Sequence, residues 1–189
     1  MTKREFILLL RENPVVAAVK SAQGLEKCTE SECGIIFILY GSLSDIGAIV
    51  EKVKAAGKTA IVHIDLIEGL DGSPAAVRYI REHTGADGII STRAQVVKYA
   101  REAGLLTVQR FFLIDSMALE TVKRHMEQKT ADIIEILPGV MPKVVKKLAQ
   151  FTREPIIAGG LIADKEDIIQ VLQAGAAGIS STAEETWFL

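Results

Sequence analysis

Two hydrophobic patterns alternate along the chain. Short runs rich in β-branched residues are followed by longer segments of helical periodicity, with glycine or charged residues between them. The runs predict strands at Val15–Val19, Ile35–Leu39, Thr59–Asp65, Gly88–Ser91, Thr107–Leu113, Ile133–Leu137, Pro155–Ala158 and Gly178–Ser181. Most are continuously apolar, as parallel strands covered by helices must be. The periodic segments predict helices over Leu43–Ala56, from Ser73-Pro74 onward, and over Arg93–Ala103. Further helices are predicted from Asp115 or Ser116 to about Gln128, over Met141–Phe151 and over Asp164–Ala174. Ala22–Glu32 is a weaker helix, being short and carrying Gly24.

Eight strands alternating with about eight helices fit a closed barrel or a doubly wound sheet. The strand count favours the barrel, and so do the strand ends. Nearly every run finishes in polar residues or glycine: Lys20, Tyr40-Gly41, His63 and Asp65, Ser91-Thr92-Arg93, Arg110, Glu135 with Pro138-Gly139, Gly159-Gly160, and Ser180-Ser181-Thr182. In a barrel these ends converge on one face, where ligands bind. The expected fold is therefore a small α/β (β/α)8 barrel, one domain spanning 1–189. It is shorter than the common barrel of about 250 residues, so its loops must be short.

Composition narrows the function classes. Aromatic residues are only 5% of the chain, so the core must be aliphatic. A net charge of −2 argues against a generally basic nucleic-acid-binding surface, although charge can be segregated. Cys28 and Cys33 lack the histidine partners of a zinc site and read as reduced structural thiols. The apolar run Phe6–Leu10 is cut off by Arg11, Glu12, Asn13 and Pro14, too short for a signal-peptide core. No stretch approaches a membrane span. The expectation is a soluble cytoplasmic protein.

The strongest chemical signal is for phosphate. The seventh strand runs into Gly159-Gly160 and the eighth into Ser181-Thr182. Glycine lets backbone N–H groups approach an anion, the following helix offers its positive end, and barrels recurrently place a phosphate at these two loops. The plainer reading is a pair of tight turns with helix caps. The second cluster is His63 and Asp65, which strand alternation puts on one side. With Glu135 they suit the hydroxyls of a polyol. A His63–Asp65 acid–base pair, or a divalent metal site with Glu68 and Glu135, is the sharper alternative, and a hydrogen-bonded buried histidine the blander one. Arg110 sits in an apolar strand and needs an anionic partner, either Glu135 on the next strand or a ligand. Lys20, at a strand end, reads as a solvated charge or an anion contact rather than a Schiff-base lysine. Lys143, Lys146 and Lys147, with Arg153 beyond them, line the sixth predicted helix. They form either a solvated helix face or a strip for a phosphate backbone.

Five segments in register carry a family resemblance. They are His63-Ile64-Asp65-Leu66-Ile67-Glu68-Gly69-Leu70, Gly88-Ile89-Ile90-Ser91-Thr92-Arg93, Gln109-Arg110-Phe111-Phe112-Leu113-Ile114-Asp115, Ile134-Glu135-Ile136-Leu137-Pro138-Gly139 and Pro155-Ile156-Ile157-Ala158-Gly159-Gly160-Leu161-Ile162. From about Asn13 to Trp187 the chain resembles the bacterial glycerol uptake operon antiterminator family. That resemblance implies a barrel fold, glycerol 3-phosphate as the effector, leader mRNA of glycerol genes as the partner, and no known turnover. No cofactor or metal is expected from the residues singled out. On it, Gly159, Gly160, Ser181 and Thr182 would hold the phosphate. Asp65, Glu135 and His63 would read the hydroxyls, with Arg110 orienting the carboxylates. A homodimer would join two basic strips and raise RNA affinity. The rival is an enzyme on the same scaffold, a phosphosugar isomerase or a glycerol-phosphate transferase. A sensor acting on protein partners is a third reading.

Overall fold

A computed structural model describes the whole chain, Met1–Leu189. Eight parallel strands close into a barrel in sequence order, with the last pairing to the first. They are β1 (Val15–Val19), β2 (Ile35–Ile38), β3 (Thr59–His63), β4 (Gly88–Ser91), β5 (Leu106–Phe112), β6 (Ile133–Leu137), β7 (Ile156–Gly159) and β8 (Gly178–Ser181). The helices are α1 (Lys3–Glu12), α2 (Ala22–Thr29), α3 (Ile46–Ala55), α4 (Pro74–His83), α5 (Ala94–Glu102), α6 (Ser116–Gln128), α7 (Pro142–Phe151) and α8 (Lys165–Gln173). No helix is long and apolar enough to cross a membrane.

The eight strand runs predict the barrel correctly, and the differences are local. The amino-terminal apolar run is a helix, α1, which strand-and-helix alternation does not anticipate. Thr2 and Glu5 close its first turn as a reciprocal capping box. The unit after β8 has no α-helix. A 3-10 turn over Glu184–Phe188 takes its place, and its buried Trp187 donates from Nε1 to the Ser181 carbonyl at 2.9 Å. Strand β3 stops at His63, because Ile64–Leu66 forms a 3-10 turn.

Strand alternation divides the apolar residues into two cores. Inward residues such as Val16, Phe37, Ile61, Ile90, Val108 and Ile157 fill the barrel. Phe6 and Leu10 of α1 join them and close the amino end, while Leu8 of the same helix stays exposed. Outward residues such as Val19, Ile36, Val62, Ile89, Ile134 and Ile179 meet the helices in a larger core. Cys28 and Cys33 lie buried in that outer core as free thiols. Burial raises both, Cys28 to about 11, so neither is a ready nucleophile.

With aliphatic layers below and α1 at the base, polar lumen residues have only the carboxyl end of the barrel left to them. Arg110, Glu135 and Ser180 gather there.

Candidate functional site

Arg110 on β5 and Glu135 on β6 are register partners. Both side chains point into the lumen. Arg110 Nε donates to Glu135 Oε2 at 2.5 Å and Arg110 Nη2 to Oε1 at 3.3 Å. Ser180 on β8 donates its hydroxyl to the same Oε1 at 2.6 Å. Glu135 is fully buried, so its charge is held by these three donors alone. Of the two expected partners for Arg110, the structure brings in the carboxylate. Nothing in the protein accepts from Arg110 Nη1, and Arg110 lines a cavity of about 400 Å³ at the carboxyl ends of the strands.

That cavity is lined by Leu39 after β2, Leu137 of β6, and the stretches Gly160–Ala163 and Ser180–Ala183. The β7 and β8 loops are therefore adjacent at one hollow, as the sequence predicts. Their roles within it differ. Gly159 faces the lumen. A Cβ there would sit 2.4 Å from Ser180 Oγ and 2.7 Å from Glu135 Oε1, so this glycine makes room for the Arg110–Glu135–Ser180 network. Gly160 has φ +75° and Leu161 φ +62°, two successive left-handed residues. For leucine that conformation is strained, and it raises the side chain out of the wall. The N–H groups of Gly160, Leu161, Ile162 and Thr182 donate to nothing within the protein. Four free donors around one hollow, with a guanidinium at its base, suit an anion.

The end of α8 does not add to this set. Asp164 accepts from Asp167 N–H at 2.9 Å, and Asp167 accepts from Ala163 N–H at 3.0 Å, so the helix caps itself with carboxylates. The free N–H groups at this hollow are therefore those of the loops, whereas the helix terminus expected from sequence is occupied by its own carboxylates. Ser181 points outward. Its hydroxyl donates to the Ile162 carbonyl at 2.8 Å and accepts from Ala183 N–H at 3.0 Å, which fixes the β7 loop against the β8 loop. Thr182 is exposed at the cavity rim.

His63 is buried in the lumen, and its Nδ1 has no partner. Burial and the nearby Arg110 charge push its pKa down to about 4, against an opposing pull from Asp65, so the ring is neutral at pH 7. Asp65 departs from the expected alternation because the 3-10 turn carries it away from the lumen. It accepts from Ser91 Oγ at 2.8 Å, from Thr92 N–H at 2.7 Å and Thr92 Oγ1 at 3.0 Å. Arg93 closes the set with Nε at 3.1 Å and Nη2 at 2.8 Å. Burial alone would raise this carboxyl. The hydrogen bonds outweigh it and hold Asp65 below the ordinary range. All its lone pairs are used in joining the β3 and β4 loops. It is a positioning residue, neither the acid–base partner of His63 nor a free acceptor for hydroxyls. His63, Asp65, Glu68 and Glu135 do not converge as a metal-ligand cluster.

Two contributors are not assigned to the site from the sequence. Ser180 had a signal, since alternation from the inward Gly178 puts it in the lumen. Leu161 had none, because its conformation is imposed by the loop. Lys20 is exposed and makes no ion pair. Lys143, Lys146 and Lys147 are exposed on α7, a helix with no acidic residue, while Val145 and Leu148 face the core. A larger hollow of about 550 Å³ lies on the outer wall between α8 and the start of β1. Its charged groups are Glu12, Glu32 and Lys165, and it has no buried guanidinium like that of Arg110 at the other hollow.

Fold and site define the class: a short-looped (β/α)8 barrel with its polar groups gathered at the carboxyl ends of β5 to β8. The chain belongs to the glycerol-3-phosphate responsive antiterminator family, whose model matches residues 15–187. It is 42% identical over 181 residues to the uncharacterized protein YgcP of Escherichia coli strain K12, covering 96% of this chain and 95% of that one. The crystal structure of a glycerol uptake operon antiterminator regulatory protein from Listeria monocytogenes superposes with a TM-score of 0.88. It shares 31% identity over 93% of this chain and 95% of that one. A glycerol uptake operon antiterminator-related protein from Thermotoga maritima gives 0.82 at 28% identity, covering 92% and 96%.

Proposed function

We propose that this barrel is a glycerol 3-phosphate sensor whose ligand-bound form holds a leader mRNA. The family membership supports the effector. The observation that carries the site is the set of free amides at Gly160, Leu161, Ile162 and Thr182 above the Arg110 guanidinium. In this reading the phosphate takes those amides and Arg110 Nη1, and the Thr182 hydroxyl adds a donor at the rim. The glycerol hydroxyls point across the lumen toward the neutral His63. Gly159, Ser180 and Glu135 hold Arg110 in place, and Asp65 holds the β3 and β4 loops.

Such a site binds without turning over. The one buried lysine, Lys58, is held by the Ser31 and Cys33 carbonyls, Lys20 is exposed, and His63 Nδ1 has no partner to relay a proton. RNA is held through its phosphates by Lys143, Lys146 and Lys147, which salt weakens. Ligand favours RNA binding only by binding the RNA-competent form more tightly. Retention of a glycerol-gene leader transcript on the purified chain, with and without glycerol 3-phosphate, tests this. Ligand-dependent retention is the expected result. Turnover of the ligand, or retention indifferent to it, contradicts the reading.

A further inference from the structure

The carboxyl rim carries apolar side chains that the fold does not use. Phe112 at the end of β5 is 55% exposed. Ile114 and Met117, in and after the β5–α6 connection, are 84% and 79% exposed, and Leu161 is 75% exposed. The core face of α6 is Val122 and Met126, with Ala118 and Leu119 against it, so Met117 does not belong to that face. These side chains stand on loops joined to one another. Leu113 N–H donates to the Leu137 carbonyl at 2.7 Å, and Gly139 N–H to the Gly160 carbonyl at 3.0 Å. The loops after β5, β6 and β7 are thus one ledge.

The ledge is large enough to matter. Taking about 200 Å² for a fully exposed side chain of this size, the four present on the order of 600 Å² of largely apolar surface. That is the upper end of the largest apolar patch a monomer usually shows, about 300–600 Å², and such patches are often functional. A standard interface buries about 800 Å² per partner, a little over half of it apolar. One ledge therefore supplies the apolar share of one side of a stable dimer.

We propose that a second copy of this chain docks on the ledge as a two-fold pair, with Ile114 and Met117 of each copy packed against the other. Self-association suits the chemistry. Ile114, Met117 and Leu161 are aliphatic and offer nothing to a phosphate backbone, and the cations that do lie on α7. A two-fold contact sets the same patch against itself, and an apolar patch is complementary to its own copy. Asp115, the charge nearest its centre, is engaged in capping α6, where it accepts from Ala118 N–H at 2.8 Å. Leu161 belongs both to the ledge and to the loop assigned to phosphate. A link between ligand and dimer follows, and that link alone rests on the proposed function.

Sedimentation velocity on the full chain, from low to high micromolar and with and without glycerol 3-phosphate, tests the dimer. The wild type is expected to dimerise. Ile114→Glu and Met117→Glu are expected to weaken the dimer at least about a hundredfold, because like charges would meet across the two-fold. Both side chains are exposed in the single chain, so melting of the variants should match wild type at concentrations too low for the dimer to form. A wild-type monomer under all conditions overturns the proposal, as does a dimer indifferent to both substitutions. A monomer whose Ile114→Glu variant loses RNA retention assigns the ledge to RNA and also overturns it. Calorimetric titration of the same samples with glycerol 3-phosphate reads the ligand site separately, so failure of one reading is distinguished from failure of the other.

Discussion

Arg110 and Glu135 face each other in register across β5 and β6, inside the barrel, 2.5 Å apart at Nε and Oε2. The pair supplies the guanidinium at the base of the cavity and fixes its direction. Ser180 completes the carboxylate's donors, and Gly159 leaves the space the three groups occupy.

Removing one member of this pair strands the other. Glu135→Leu should cost about 3–5 kcal/mol of stability, since it leaves an uncompensated buried guanidinium. The double change Arg110→Met with Glu135→Leu should recover much of that loss while abolishing ligand binding. Urea denaturation of the three chains measures it. Equal stability of the single variant and the wild type would contradict the buried pair.

His63 gives stability a pH dependence with a definite sign. Its pKa falls from 6.5 to about 4 on folding, so between those values the unfolded chain binds the extra proton. Its contribution is present in full above pH 6.5 and is lost as pH falls toward 4, by about 3 kcal/mol. Burial also lowers His125, so the two must be separated. Asp65, held low, adds its own loss below the ordinary carboxylate range. Melting curves from pH 7 to pH 4 should flatten in His63→Gln more than in His125→Gln. An unchanged slope in His63→Gln would show that the ring is not held neutral.

The barrel was legible in the sequence because its signals are periodic. Continuous apolar runs such as Ile35-Ile36-Phe37-Ile38 require cover on both faces, and eight of them close a barrel. Helix α1 was hidden because its apolar residues serve the bottom of the lumen, a contact with no signature in its own segment. At the site, the glycine pair and the lone strand arginine were readable as types. Their division of labour was not. Gly159 serves the buried ion pair and Gly160 the loop, a distinction set by which way each faces. Asp65 was misplaced because the strand ends two residues earlier than its pattern suggests, turning the carboxylate toward Arg93.

Gly160→Asp places a carboxylate where the phosphate is assigned and requires a left-handed backbone from a residue with a Cβ. Glycerol 3-phosphate affinity should fall at least about a hundredfold, as expected for two anions brought together. Gly160→Asn, which tolerates the same backbone, should lose far less. Equal losses in the two would assign the effect to strain rather than charge.

Lys143, Lys146 and Lys147 make no ion pair on α7. If they contact RNA phosphates, replacing all three with Ala should lower RNA affinity for every sequence alike. It should also reduce the slope of log K against log salt by about 2–3. Ligand binding should be untouched, as none of the three lines the cavity. An unchanged salt slope would move the RNA surface elsewhere.

Calorimetric titration of the wild-type chain with glycerol 3-phosphate, alongside free glycerol and inorganic phosphate, tests the central claim most directly. Saturable one-site binding that needs both the phosphate and the glycerol is the predicted result. No binding, or inorganic phosphate binding as tightly as the whole ligand, would contradict it.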